Sequence, residues 1–346
     1  MTQILEEVHQ LEEKVHKANL PKDFSERLLL MIDRLARLSR LGSYASEYDS
    51  VYRYVEWVTS LPWQQNAQDR LNLDEAREIL NKNHYGLNQV KDRILEYLSV
   101  LVLNAKSKTV VHAPILCLVG LVGTGKTTLA YSIAEALGRP FIRIPFGGLG
   151  GIFQLRGQSR VLPDAEPGQI IKALRRAQVN NPVILLDEID RVADESRADL
   201  MGVLVELLDP EQHSAFVDHY IDYPYDLSQV LFVATANNLT NVATAVLDRL
   251  EVIQMPSYTD EEKITIAKRY LLPKIIKEAG IKEDLIIIDG VLWPKMVRPL
   301  GYDSGMRSLE RTLEAVVRKI ALEIIEKGPR KFLLSEDSIN DYLPKY

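Results

Sequence analysis

The stretch from Leu116 to Ala134, LCLVGLVGTGKTTLAYSIA, restricts the fold of this chain more than any other. An apolar run meets a glycine-studded turn that ends in Lys126-Thr127-Thr128 and continues with helical spacing. Gly120, four residues, then Gly125-Lys126-Thr127 is the pattern of a phosphate-binding loop between a buried strand and a helix. Glycine leaves room for backbone N–H groups to turn inward around phosphate oxygens, and the following helix directs its positive end at the same anion. This pattern assigns nucleotide contact to Gly120, Gly123, Thr124, Gly125, Lys126, Thr127 and Thr128. Lys126 would neutralise the outer phosphates, and the Thr127 hydroxyl would ligate Mg²⁺.

Further signals stand where apolar runs end, the edge at which a parallel sheet presents its ligand. NPVILLDEID closes with Asp187, suited to hold the metal through water, and Glu188, suited to polarise an attacking water as general base. VLFVATANN closes with Asn237, whose amide can orient that water against the γ-phosphate. Arg249, in AVLDRLEVI, is spaced to reach a neighbouring subunit's nucleotide as an arginine finger. Arg307, in SGMRSLER, opens a helix and is spaced to contact phosphate from the other side.

Around these motifs the chain divides into three. Residues 1–63 read as a helical neck: Ile4, Val8, Leu11 and Val15 make a narrow apolar stripe, Pro21 ends the first helix, and SLPWQQNAQ reads as a linker. Residues 64–256 read as an α/β domain, opening with a helix capped by Asp74. Its apolar runs ILCLV, FIRI, VILLD, VLFVAT and EVIQM alternate with helices, which predicts a five-stranded parallel sheet covered on both faces. Residues 257–346 read as a small all-α lid without strands, starting at a capping box of Thr259 and Glu262.

Composition narrows the partners. A net charge of −6 gives no general attraction to nucleic acid or an anionic membrane. No apolar run approaches the roughly 20 residues of a membrane span, and the N-terminus is too charged for a signal peptide. The one cysteine, Cys117, lies in an apolar run, which points to packing and suits a reducing cytoplasm.

In order and spacing these motifs resemble the ATPase module of the Lon proteases, within the AAA+ superfamily. The resemblance rests on LPW, HYGLNQVKDRILEYL, LLDPEQHSAFVDHYIDYPYDLSQVLFVATANN, LDRLEVI, YTDEEKITIAKRYLLPK and GMRSLER, and it covers nearly the whole chain. It implies Walker A roles for Lys126 and Thr127, and Walker B roles for Asp187 and Glu188. It implies sensor 1 at Asn237, the arginine finger at Arg249 and sensor 2 at Arg307, with His84 and Tyr85 near adenine. It also implies a homohexamer that uses ATP to unfold damaged proteins and feed them to a serine–lysine protease domain.

Four departures qualify the expectation. No segment resembles the protease signatures, so a protease domain would be supplied in cis or in trans. Most of a Lon-type N-terminal recognition region is missing. The substrate-gripping loop, LRGQSRVLPDAEPGQ, has Leu162 and Pro163 where the family has an aromatic followed by an aliphatic residue. Walker A reads LVG where Lon has PPG, with Gly123, Gly125 and Lys126 retained. The competing readings are a nucleotide-binding scaffold with little mechanical work and an AAA+ remodeller of nucleic acid. The acidic composition and LDPEQ…FVDHY weigh against the second.

Overall fold

The computed structural model describes residues 2–39, 45–107, 114–209, 211–298 and 305–344. The neck comprises α1 (Thr2–Lys17), α2 (Lys22–Ser39) and α3 (Ala45–Thr59). There follow α4 (Leu73–Asn83), α5 (Asn88–Ser107), β1 (Ile115–Val119), α6 (Lys126–Leu137), β2 (Phe141–Pro145), α7 (Ile152–Arg156), α8 (Gln169–Ala177) and β3 (Val183–Asp187). Next come α9 (Asp194–Leu207), a two-residue ladder of β4 (Phe216–Val217) with β5 (Pro224–Tyr225), β6 (Leu231–Ala236), α10 (Thr244–Leu247) and β7 (Leu250–Gln254). The lid comprises α11 (Asp260–Ile266), α12 (Leu272–Glu278), β8 (Ile286–Ile288), α13 (Trp293–Val297), α14 (Arg307–Lys327), β9 (Phe332–Leu334) and α15 (Ile339–Tyr342).

The main sheet has the order β2-β3-β6-β1-β7, with all four pairings parallel. Its inner strands are largely apolar because both faces are covered, with Thr235 in β6 and Asp187 at the end of β3 as polar exceptions. Along β1, Ile115, Cys117 and Val119 join one hydrophobic cluster, while Leu116 and Leu118 join the cluster on the opposite face. Cys117 is fully buried, and burial pushes its thiol up to about 12, as a packing residue requires. The first cluster also takes in Val8, Leu11, Val15, Phe24, Leu28, Tyr54 and Val58, so the neck shares a core with the sheet. The side chain of Ile4 lies outside the described residues.

Register sets the site. Val119 pairs with Ala236, which puts Gly120 beside Asn237, and Leu186 pairs with Ala234, which puts Asp187 beside Thr235. The five strands of the main sheet all end at the same edge.

Three expectations change. The N-cap of α4 is Asn72, whose side chain accepts from Asp74 N (3.0 Å) and Glu75 N (3.4 Å); Asp74 sits inside the first turn. The SLPWQQNAQ segment is pinned rather than free. Trp63 Nε1 donates to Val58 O at 2.8 Å, and Asn181 Oδ1 accepts from Ala67 N at 2.7 Å. Strands do not stop at Pro256: β8 and β9 form a parallel ladder in the lid. Each is a triplet, too short for a two-residue period to be legible. The β4–β5 ladder escapes for the same reason.

Between α11 and α12 the lid helix passes through a π-helical turn, Ala267–Leu271. Pro273, at the start of α12, brings no N–H to the helical ladder, which explains the local change of spacing. No helix among the described residues is long and apolar enough to cross a membrane.

Candidate active site

A cleft of about 370 Å³ lies where the phosphate loop, the strand ends and the lid converge. Its walls include His84, Tyr85, Gly123, Gly125, Lys126, Thr127, Thr128, Asp187, Glu188, Asn237 and Arg307. A hollow of similar size, about 360 Å³, lies between the neck and α8, but its lining offers a single carboxylate, Glu56, and no glycine loop.

The loop has the conformation its glycines permit. Gly123 and Gly125 take φ of +83° and +91°, left-handed values that a β-carbon disfavours, and Gly125 serves as the N-cap of α6. Lys126 is buried, and its ammonium donates to Gly120 O (2.6 Å), Leu121 O (3.0 Å) and Asn237 Oδ1 (3.1 Å). Burial holds its pKa below the ordinary lysine value, opposed by the nearby charges of Asp190, Asp187 and Glu188.

Asp187 is almost fully buried and held on both oxygens. Oδ1 accepts from Thr235 Oγ1 at 2.5 Å and lies 3.5 Å from Thr127 Oγ1; Oδ2 accepts from Arg143 Nε at 2.5 Å. Glu188 takes φ of +57°, a conformation rare outside glycine, at an expense of about 1–3 kcal/mol. Its N–H donates to Thr235 Oγ1 at 2.9 Å, and Ile189 N donates to Thr235 O at 2.9 Å, so the turned backbone is held from the neighbouring strand. Asn237 Nδ2 is buried without a hydrogen-bond partner, a donor left over beside the lysine.

The lid seats directly on the loop. Met306 N donates to Gly123 O at 3.1 Å, and a β-carbon on Gly305 would lie 2.2 Å from Val122 O. This contact delivers Arg307, the first residue of α14, to the cleft. Ile266, Tyr270, Leu271 and Lys274 complete the lid-side wall. Sequence periodicity did not single them out, because the π-helical turn changes which residues share a face.

His84 is buried, with Nε2 at 2.9 Å from Ser132 Oγ. Desolvation first, and then Lys91, lower its pKa to about 4, so the ring is neutral at pH 7. Its carbonyl accepts from Lys91 Nζ at 2.7 Å.

Not every expected residue joins this group. Gly120 lies beneath the loop against Met255, and Thr124 is fully buried, its hydroxyl donating to Leu121 O at 2.8 Å. Arg249 does not line the cleft; it donates to Ala245 O at 2.8 Å and pairs with Asp209 at 3.4 Å. Leu162 and Pro163 are exposed on a separate loop, with Val161 87% exposed beside them. Thr235 and Arg143 were not singled out from the sequence. A threonine inside an apolar strand reads as β-propensity, and only the register shows that it faces Asp187.

The residues present fit a magnesium nucleotide. Lys126 and Arg307 supply positive charge and Asn237 Nδ2 a free donor, while Thr127 and Asp187 set two hard oxygens side by side. Among the described residues no cluster of three or more His, Cys, Asp or Glu is arranged to hold a metal.

Comparison with known proteins agrees with this geometry. Residues 116–258 match the model for the ATPase family associated with various cellular activities, and residues 277–332 match the Lon protease AAA+ ATPase lid domain. The chain is 42% identical over 339 residues to a Lon protease of Lawsonia intracellularis, across 98% of this chain and 40% of that protein. It is 42% identical over 334 residues to a Lon protease of Desulforamulus reducens, across 96% of this chain and 40% of that protein. It is 39% identical over 337 residues to Lon protease 2 of Herpetosiphon aurantiacus, across 97% of this chain and 41% of that protein. The chain therefore spans about two fifths of the length of these relatives, in the region of their ATPase module.

Proposed function

From the premise that this chain belongs to the Lon family through its AAA+ ATPase module, we propose that it hydrolyses ATP to unfold and translocate protein substrates for proteolysis. The observation that carries the reading is the convergence of Lys126, Asp187, Glu188, Asn237 and Arg307 on one cleft beneath the lid.

Each side chain then has a task. Lys126 exchanges backbone carbonyls for the outer phosphates, and the N–H groups from Gly123 to Thr128 cradle them. Thr127 and Asp187 hold Mg²⁺, which when bound neutralises charge across the phosphates. Glu188 accepts the proton of the attacking water, and Asn237 orients that water. Arg307 reports phosphate to the lid, His84 and Tyr85 border the base, and Arg249 serves the nucleotide of an adjacent copy. Residues 1–63 act as neck, 64–256 as motor and 257–346 as lid, in a homohexamer placed in the cytoplasm. Leu162 and Pro163 press on the substrate. Peptide-bond cleavage is left to a protease domain in cis or in trans, and nucleic acid is not the substrate.

Equilibrium binding and steady-state turnover test the core of this. Lys126→Ala is expected to abolish ATP binding, and Glu188→Gln to keep it while lowering turnover about 100-fold or more. Wild-type turnover in Glu188→Gln would remove the proposed base.

One observation favours the scaffold alternative: Arg249 is engaged within its own chain by Asp209 and Ala245. ATPase rate with and without casein separates the two, since a passive scaffold gains nothing from an unfolded protein.

A further inference from the structure

The FVDHY motif has no task in the nucleotide cleft, yet its aspartate is among the most completely buried charged groups described. Asp218 Oδ2 accepts from Gly168 N at 2.7 Å, while Oδ1 accepts from Tyr220 N at 2.8 Å and Ile221 N at 3.1 Å. Burial pushes its carboxyl up to about 6, and the three N–H donors pull the other way.

These bonds join two separate pieces of chain. Gly157 and Gly168 are the two feet of the loop that bears Val161, Leu162 and Pro163. The feet touch backbone to backbone: a β-carbon on Gly168 would lie 2.0 Å from Leu155 O, and one on Gly157 would lie 2.7 Å from Asp218 Oδ1. Gln158 N donates to Glu166 O at 3.1 Å, and His219 N donates to Arg156 O at 2.7 Å, closing the base from both sides.

The segment following Asp218 is docked on the neck. Tyr54 of α3 donates its hydroxyl to Ile221 O at 2.7 Å, and Phe24 of α2 stacks on Tyr223 at 4.0 Å between ring centroids. Two side chains touch all three parts. Asp222 accepts from Arg27 of the neck at 2.6 Å and lies 3.6 Å from Arg160 of the loop. The Tyr54 ring carries the Arg160 guanidinium 3.8 Å above its centre.

We propose that Asp218 is a positioning residue that clamps the feet of the 157–168 loop and links them to the neck, so that the neck sets how the loop meets protein substrate. Its functional half rests on the reading that this loop presses on substrate; the clamp itself does not. A carboxylate is required because three backbone donors converge on two oxygens. An amide would turn its NH₂ against at least one of them.

The test uses the full chain carrying Asp218→Asn, and separately Arg160→Gln, which alters the linkage at a part-exposed site and leaves the buried carboxylate in place. Three quantities are read: basal ATPase rate with nucleotide affinity, stimulation by casein, and amide hydrogen exchange of residues 157–168. The expected result for Asp218→Asn is basal rate and affinity within twofold of wild type, loop exchange at least tenfold faster, and casein stimulation lost. Arg160→Gln is expected to lose most of the stimulation with a smaller rise in exchange. Unchanged exchange in a folded Asp218→Asn would overturn the clamp. Faster exchange with stimulation intact in both variants would overturn the link to substrate handling. If wild type itself shows no stimulation, the substrate reading of the loop fails, and the clamp is decided by exchange alone.

Discussion

The polar groups that meet in the nucleotide cleft come from strand ends and turns, each with a short local pattern around it: GTGKT, DE, ATAN, GMR. The groups that meet where neck, β4–β5 segment and loop join come from Phe24, Tyr54, Arg160, Asp218 and Tyr223, and although FVDHY is a recognisable pattern, nothing in it names the partners in the neck and the loop. In the function proposed above, the first region does chemistry on a small anion and needs particular residue types at fixed backbone positions. The second, as proposed above, transmits position, and its contacts are set by fit between segments far apart in the chain. Local rules therefore write themselves into sequence, and long-range fit does not.

If this contrast is sound, the cleft should fail sharply and selectively. Thr235→Val removes the hydroxyl that donates to Asp187 and accepts from Glu188 N. An unsatisfied buried group costs about 1–3 kcal/mol, so turnover is expected to fall about 10- to 100-fold with nucleotide affinity nearly unchanged. Thr235→Ser, which keeps the hydroxyl, should restore most of it. Equal losses in both variants would mean that packing, not the hydrogen bond, is what Thr235 provides.

The cleft should also be acid-sensitive through His84. Its folded pKa, about 4, lies below the unfolded value of 6.5, so the unfolded chain binds more protons between these limits. The stabilisation is whole above pH 6.5 and is lost as pH falls towards 4, by up to about 3 kcal/mol. Urea midpoints from pH 7.5 to 4.5 should fall more steeply for wild type than for His84→Gln. Parallel pH profiles would show that the ring is not buried as described.

The junction should fail gently. Tyr54→Phe deletes one buried hydroxyl bonded to Ile221 O and leaves the ring under Arg160. An expected loss of about 1 kcal/mol in denaturant unfolding, with basal ATPase unchanged, would match a contact whose role is mechanical.

The same contrast explains what could be read in advance. The five strands of the main sheet were legible because they are short, largely apolar runs alternating with helices, the inner ones covered on both faces. The capping box at Thr259 and Glu262 was legible because both halves lie within four residues, and the structure contains both bonds. The β8–β9 ladder was not, since its two triplets pair across 43 intervening residues and either alone fits a loop. Within the site, Lys126, Asp187 and Glu188 are carried by spacing, whereas Thr235 and Arg143 are defined only by which strands lie side by side. The π-helical turn that sets the lid wall was out of reach because it depends on how α11 meets Pro273.

The most direct measurement of the central claim is a structure of Glu188→Gln with Mg-ATP. The expected result is a triphosphate in the cradle from Gly123 to Thr128, Mg²⁺ against Thr127 and Asp187, and Lys126 Nζ moved from the carbonyls of Gly120 and Leu121 onto phosphate. A nucleotide bound elsewhere, or Lys126 still on those carbonyls with the acids turned away from the phosphates, would contradict it.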